Sequence, residues 1–150
     1  MRLAGLILLG AVLLGSGAAL ADETADACHR LASSPLDANR VGEGVPFQDI
    51  DVEAAKNACA AALAAAPDDP QLVFEFGRVH TAQGDDPGAF ALFVKAAEAG
   101  YGPAQTNVGV AYEHGIGVTA DMTTAIEWYR RAAASGDASG SYSLGIVYRD

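Results

Sequence analysis

Basic residues are scarce in this chain: 9 Lys and Arg stand against 19 Asp and Glu in 150 residues, a formal net charge of −10. Nucleic acids are gripped through their phosphates by clustered Lys and Arg, so this charge balance argues against nucleic acid as a partner. An anionic membrane surface is disfavoured for the same reason. Cysteine is equally sparse. Cys28 and Cys59 stand alone, and no close C-x2-C pair of the kind a structural zinc site needs is present. Alternation with period two never runs long enough to write a strand. Beyond the first residues, no apolar stretch approaches the roughly 20 residues of a membrane span.

Catalytic constellations are missing too. His29, His80 and His114 fall at unrelated positions, and no Ser-His-Asp or Cys-His arrangement has supporting context. Gly115-Ile116-Gly117 has no preceding strand and no following Lys in register, so it is not a phosphate loop. Asp68-Asp69 and Asp85-Asp86 sit at helix starts, where capping accounts for them. The expectation is therefore a protein with no catalytic residues, no cofactor and no metal.

The N-terminus reads as an export signal. Met1-Arg2 is a minimal positive start, Leu3 to Leu14 is an apolar run, and Ala19-Leu20-Ala21 carries the small residues a signal peptidase needs. Cleavage after Ala21 is expected, which leaves 19 acids against 8 bases. The destination would be periplasmic or secreted, with no membrane span after cleavage. An even cysteine count in an oxidising compartment favours one disulfide, Cys28 to Cys59, over two buried free thiols. Closing that loop contributes roughly 3.5 kcal/mol in the chain-entropy account.

What the chain does have is repetition. Ala125, Trp128-Tyr129, Ala132-Ala133 and Gly136 return 36 residues earlier as Ala89, Leu92-Phe93, Ala96-Ala97 and Gly100. A further 34 residues back, Ala89, Phe93 and Ala96 become Ala55, Cys59 and Ala62. Val108 to Tyr112 recurs as Leu144 to Tyr148, and an earlier copy runs from Phe76 to His80. Spacings of three and four residues make one apolar stripe on a helix. Asp69-Pro70 and Asp86-Pro87 read as a cap followed by a first-turn proline, and Asp121 as a third cap. Gly84, Gly100 and Gly136 mark helix ends. Helices are expected at 51–66, 70–83, 87–99, 103–114, 122–135 and 139–149, with a shorter one at 23–33. Gly77, Gly109 and Gly145 should let a neighbouring helix approach, with Phe93, Trp128, Tyr129 and Tyr112 filling the space between hairpins.

The segment from Ala104 to Ala138 resembles a Sel1-like repeat. It carries A-x3-V-G-V-A-Y-x2-G-x-G-V at 104–118, Asp121, A-x2-W-Y at 125–129, and R-A-A-x2-G-D-A at 131–138. The preceding units lack the Gly-x-Gly-Val turn and resemble plain tetratricopeptide repeats. The resemblance, over 51–150, implies an all-α, right-handed solenoid of antiparallel helical hairpins. It also implies an interaction scaffold; exported bacterial members of such families act in envelope regulation, polysaccharide export and host contact. Three regions follow: a signal at 1–21, a turn-rich N-terminal cap at 22–50, and the array at 51–150. The last unit is incomplete, which reads either as truncation or as a lone capping helix. The apolar crowding of Leu144, Ile146, Val147 and Tyr148 favours truncation.

In repeats of this kind the first helix of each hairpin lines the concave face. The candidate partner-binding groove is therefore Phe74, Arg78, Thr106, Val110, Glu113, Tyr142, Ile146 and Arg149. The expected partner is a protein or peptide of the cell envelope, bound by a periplasmic scaffold or regulatory adaptor. The alternative is a ligand- or cell-wall-binding module of a larger envelope enzyme.

Overall fold

The computed structural model describes residues 17–149, so the export-signal reading of residues 1–16 lies outside the described residues. Within them the chain folds into seven α-helices: α1 (Gly17–Ala32), α2 (Val52–Ala65), α3 (Pro70–Gln83), α4 (Asp86–Glu98), α5 (Gly102–His114), α6 (Met122–Ala134) and α7 (Ala138–Val147). A single 3-10 turn, Phe47–Asp49, interrupts the connection between α1 and α2. Six helices match the spacing-based boundaries to within about two residues. The seventh, α1, starts earlier than the expected 23–33 and runs through the proposed cleavage point. Its two buried residues, Cys28 and Ala32, both lie after Ala21.

Side-chain caps decide where most of these helices begin. Asp51 accepts from Ala54 N, Asp69 from Gln71 N and Leu72 N, and Asp121 from Thr123 N and Thr124 N. Each satisfies amides that the first turn leaves without partners. The α4 cap differs from expectation. Asp85 is the capping residue, accepting from Gly88 N, while Asp86 is already helical. Residues before a proline disfavour helical geometry, which made Asp86 look like the cap; its acidic side chain instead adds favourable charge to the first turn. Gly84, Gly100 and Gly136 take φ values of 79°, 90° and 86° at their helix ends.

Consecutive helices pack side by side from α1 to α7, and α1 also contacts α3 while α5 contacts α7. This is the neighbour-to-neighbour pattern of a helical solenoid. Two apolar cores follow from it. One joins α1, α2 and α3 through Cys28, Ala32, Ala55, Cys59, Ala62, Leu72 and Val79. The other joins α3, α4 and α5 through Val73, Phe74, Ala89, Phe93, Ala96, Tyr101, Ala104 and Val108. The disulfide Cys28–Cys59 is formed, with an S–S distance of 2.01 Å, and both residues are fully buried.

Small residues set how closely the helices approach. A Cβ at Gly77 would lie 2.6 Å from Phe93 Cε1, and one at Gly109 would lie 2.5 Å from Tyr129 Cε1. In each case an aromatic ring of the following helix sits where a side chain would be. Gly145, the third member of the series, differs: nothing lies within 4 Å of its built Cβ.

Candidate interaction surface

The connection from Ser33 to Asp51 determines what the first helices of the hairpins can present. It crosses α3 and is held there by polar contacts to buried side chains. Arg78 Nη1 donates to the Ala32 carbonyl, and its Nη2 donates to the Val45 carbonyl at 2.6 Å. The Phe47 ring lies 4.5 Å from the guanidinium, within cation–π range. Tyr101, at the start of α5, donates its hydroxyl to Asp37. Gln71 Nε2 reaches Asn39 O at 3.4 Å.

Two groove residues are corrected by this arrangement. Phe74 is 2% exposed and packs between Phe93 and Tyr101, with ring centroids at 5.7 and 5.3 Å. Arg78 is 1% exposed. Neither is free to anchor a partner: the connection holds Arg78 through Val45 and Phe47, Phe93 and Tyr101 enclose Phe74, and helical periodicity holds no information about such distant contacts. Burial pulls the Arg78 guanidinium down to about 10, against the raising pull of Glu75 and Asp37. Its Nε is the only buried side-chain nitrogen or oxygen without a hydrogen bond among the described residues.

The other candidates divide into two places. Thr106 and Val110 join the edges of Phe74 and Arg78 in lining a cavity of about 250 Å³. Thr106 is largely buried and donates to Asp137 Oδ2 at 2.6 Å. Val110 also lines a second, mostly apolar cavity of about 170 Å³ with Ala89, Phe90, Phe93, Ala111 and Ile116. Phe47 and Asn107 line both, so the two adjoin. Glu113 is half-buried and accepts from Tyr129 Oη at 2.5 Å. Burial, then this bond, raises the Tyr129 hydroxyl above the ordinary tyrosine value. Tyr142 is 72% exposed, Arg149 is exposed and Ile146 half-buried, all on or just beyond α7.

A buried polar cluster escaped the sequence reading. Glu75 is fully buried and accepts from Ser33 Oγ at 2.7 Å and Gln71 Nε2 at 3.1 Å, with His29 Nδ1 at 2.8 Å. A buried carboxylate needs such partners to offset lost hydration. The available signal was an acid inside the apolar run Leu72 to Phe76. His29 had no visible partner because Glu75 is 46 residues away. His80 stacks edge-on against Phe76 and bonds Asp85 Oδ2 at 2.7 Å. No group of three metal-ligating side chains converges among the described residues.

Comparison with known proteins places this architecture. The Sel1 repeat matches residues 60–101 and 102–137. The chain belongs to the Sel1 repeat family. The first matched unit is the one expected to resemble a plain tetratricopeptide repeat; it is a Sel1 repeat despite lacking the Gly-x-Gly-Val turn. A Sel1 repeat protein from Oxalobacter formigenes superposes with a TM-score of 0.60 at 25% identity, covering 86% of this chain and 94% of that one. Over 56 residues the chain is 45% identical to mouse DAP3-binding cell death enhancer 1 and 43% identical to the rat protein. That segment is 37% of this chain but spans only 11% of those relatives. Sel1 repeats are non-catalytic protein–protein interaction modules, and the helices here are their scaffold. In these terms the Gly115-Ile116-Gly117 turn of the second Sel1 unit has a structural task. A Cβ at Gly117 would collide with the Asp86 carbonyl, so the turn closes onto the start of α4 and Ile116 walls the smaller cavity.

Proposed function

We propose that this Sel1-repeat chain is a periplasmic or secreted scaffold that binds another protein of the cell envelope, as a regulatory adaptor. The observation that carries the reading is the fully buried Cys28–Cys59 disulfide in a non-catalytic interaction fold. Structural disulfides persist in oxidising compartments and are rare where thiols are kept reduced. The expected export signal at 1–21 supports the same reading, and the buried residues of α1, Cys28 and Ala32, both lie beyond Ala21.

The surface we assign to the partner is the face of the first helices, reduced to what the connection leaves accessible. Thr106 and Val110 contribute to the adjoining cavities, and Tyr142, Ile146, Glu113 and Arg149 extend the surface toward α7. The chain's 19 acids against 9 bases bias it toward a basic partner. Capture of interacting proteins from the native envelope tests the reading, with the mature N-terminus determined by mass spectrometry. An envelope protein should be recovered, and its recovery should fall with the Tyr142→Ala and Val110→Asp double variant. Purely cytoplasmic fractionation with both thiols free to alkylation would overturn it. Retention on cell-wall polymer without any protein partner would do the same.

A further inference from the structure

We propose that the apolar cavity beside Phe47 is a socket for one aromatic side chain of an extended, basic peptide segment. The inference rests on the interaction-scaffold reading and names the chemistry of its partner. The size fits: the cavity holds about 170 Å³, and an apolar cavity of roughly 150 Å³ is enough to take a benzene ring. Ala89, Phe90, Phe93, Val110, Ala111 and Ile116 supply apolar walls. Aromatic rings bury large areas at low rotamer cost and gain from edge-to-face contact with other rings. Phe90 already makes such a contact with Tyr112, at 5.5 Å and 85°.

The protein itself demonstrates that this face holds non-α-helical chain. The Ser33–Asp51 connection lies against α3 with its Val45 carbonyl, and that of Ala32 at the end of α1, taken by Arg78 and with Asp37 held by Tyr101. Its Phe47 remains 44% exposed, laid over Arg78 rather than sunk into the cavity it lines. Asn107 lines both cavities, and a carboxamide can donate to and accept from peptide main chain. The charge of the occupant follows from the lining. Asp86, exposed, and Asp137, half-buried, are the accessible carboxylates along the two cavities; Asp37 and the single cation, Arg78, are both buried and already committed, to Tyr101 and to main-chain carbonyls. Lysine or arginine on either side of the aromatic residue completes the charge match.

Nitrogen-15 NMR titration of the disulfide-bonded protein tests the socket, using three capped heptapeptides. One has a central Phe flanked by lysines, one replaces Phe by Ala, and one replaces the lysines by glutamates. The first should shift amides of Thr81, Phe90, Asn107 and Val110. The Ala peptide should bind about tenfold more weakly or worse, as loss of one buried ring implies, and the Glu peptide should also be weaker. Val110→Trp, which fills the cavity, should abolish the Phe-peptide shifts. Ile116→Glu, at a position 39% exposed and therefore tolerant, should do the same without touching the core. Equal binding of the Phe and Ala peptides, shifts located elsewhere, full binding by both variants, or no binding by any peptide would each overturn the socket. An envelope partner still captured by Val110→Trp would also defeat the socket while leaving the scaffold function intact. Capture of nothing by the unaltered protein defeats the broader reading.

Discussion

Gly109 and Gly145 occupy equivalent positions in successive repeats, yet Ala should have opposite effects at the two. Replacing an interior helical Gly by Ala gains about 1 kcal/mol of intrinsic helix stability. At Gly145 nothing lies within 4 Å of the added methyl, so most of that gain survives, about 0.5–1 kcal/mol once fraying near the end of α7 is allowed for. At Gly109 the methyl would stand 2.5 Å from Cε1 and 2.6 Å from Cδ1 of Tyr129. That ring is fully buried, and its hydroxyl is tied to Glu113 at 2.5 Å, so it cannot simply retreat. Overpacking of this sort costs about 1–3 kcal/mol, which, set against the helix gain, leaves Gly109→Ala destabilised by about 0–2 kcal/mol. The two variants should therefore differ by about 2 kcal/mol, or roughly 8 °C in melting temperature for a domain of this size. Urea unfolding followed by circular dichroism gives the comparison. The fluorescence of Trp128, the single tryptophan and the neighbour of Tyr129, reports on the packed site itself. If Gly109→Ala is as stable as Gly145→Ala, close approach of α5 and α6 is not what selects glycine there.

Other perturbations have equally definite outcomes. Arg78→Met should destabilise by about 2–4 kcal/mol in urea unfolding, since it strips the Ala32 and Val45 carbonyls of a charged donor and removes the guanidinium charge that buried Glu75 and Asp37 attract. Reducing Cys28–Cys59, or replacing both with Ala, should remove about 3–4 kcal/mol for a sequence separation of 31, read as a lower urea midpoint with added reductant. Asp85 is held below the ordinary carboxylate value of 3.8, first by its bond from His80 and then by the Gly88 amide. A depressed folded-state value gives stabilisation that is present above the unfolded value and is lost as pH falls through the folded one. Asp85→Asn should therefore flatten the acid limb of the stability curve below about pH 4, and carbon-13 NMR titration of the Asp85 carboxyl should show a depressed midpoint.

The helices were legible because their determinants are local. Ala89, Phe93 and Ala96 define a stripe by spacing alone, and Asp69 and Asp121 announce their caps within three residues. The misassigned α4 cap shows the limit of that information, since Asp85 and Asp86 differ only in which carboxylate the first turn captures. The surface was less legible. Arg78 and Phe74 fall on one side of α3 by periodicity. Both are buried, Arg78 beneath the connection between α1 and α2, which has no repeat pattern, and Phe74 between Phe93 and Tyr101. Glu75 and His29 share that blindness: each looks like an isolated polar residue until tertiary packing brings them together. Thr106 and Val110 were legible as face residues, while the smaller cavity that Val110 borders depends on Gly117 closing the turn onto α4.

The disulfide has a bearing on the order in which the molecule comes apart. Nearest-neighbour arrays unzip from whichever end is held least. One end is doubly fastened: a covalent link joins α1 to α2, and the intervening segment laces across α3 to Tyr101 at the head of α5. Among the described residues α7 rests on α6 and α5. Hydrogen exchange should accordingly run as a gradient, fastest in α7 and slowest in α1 to α3. Cutting the covalent link would level the gradient rather than melt the whole array. Within residues 17–149 the array thus has a direction, from a root that keeps its shape toward helices held by neighbour contacts alone.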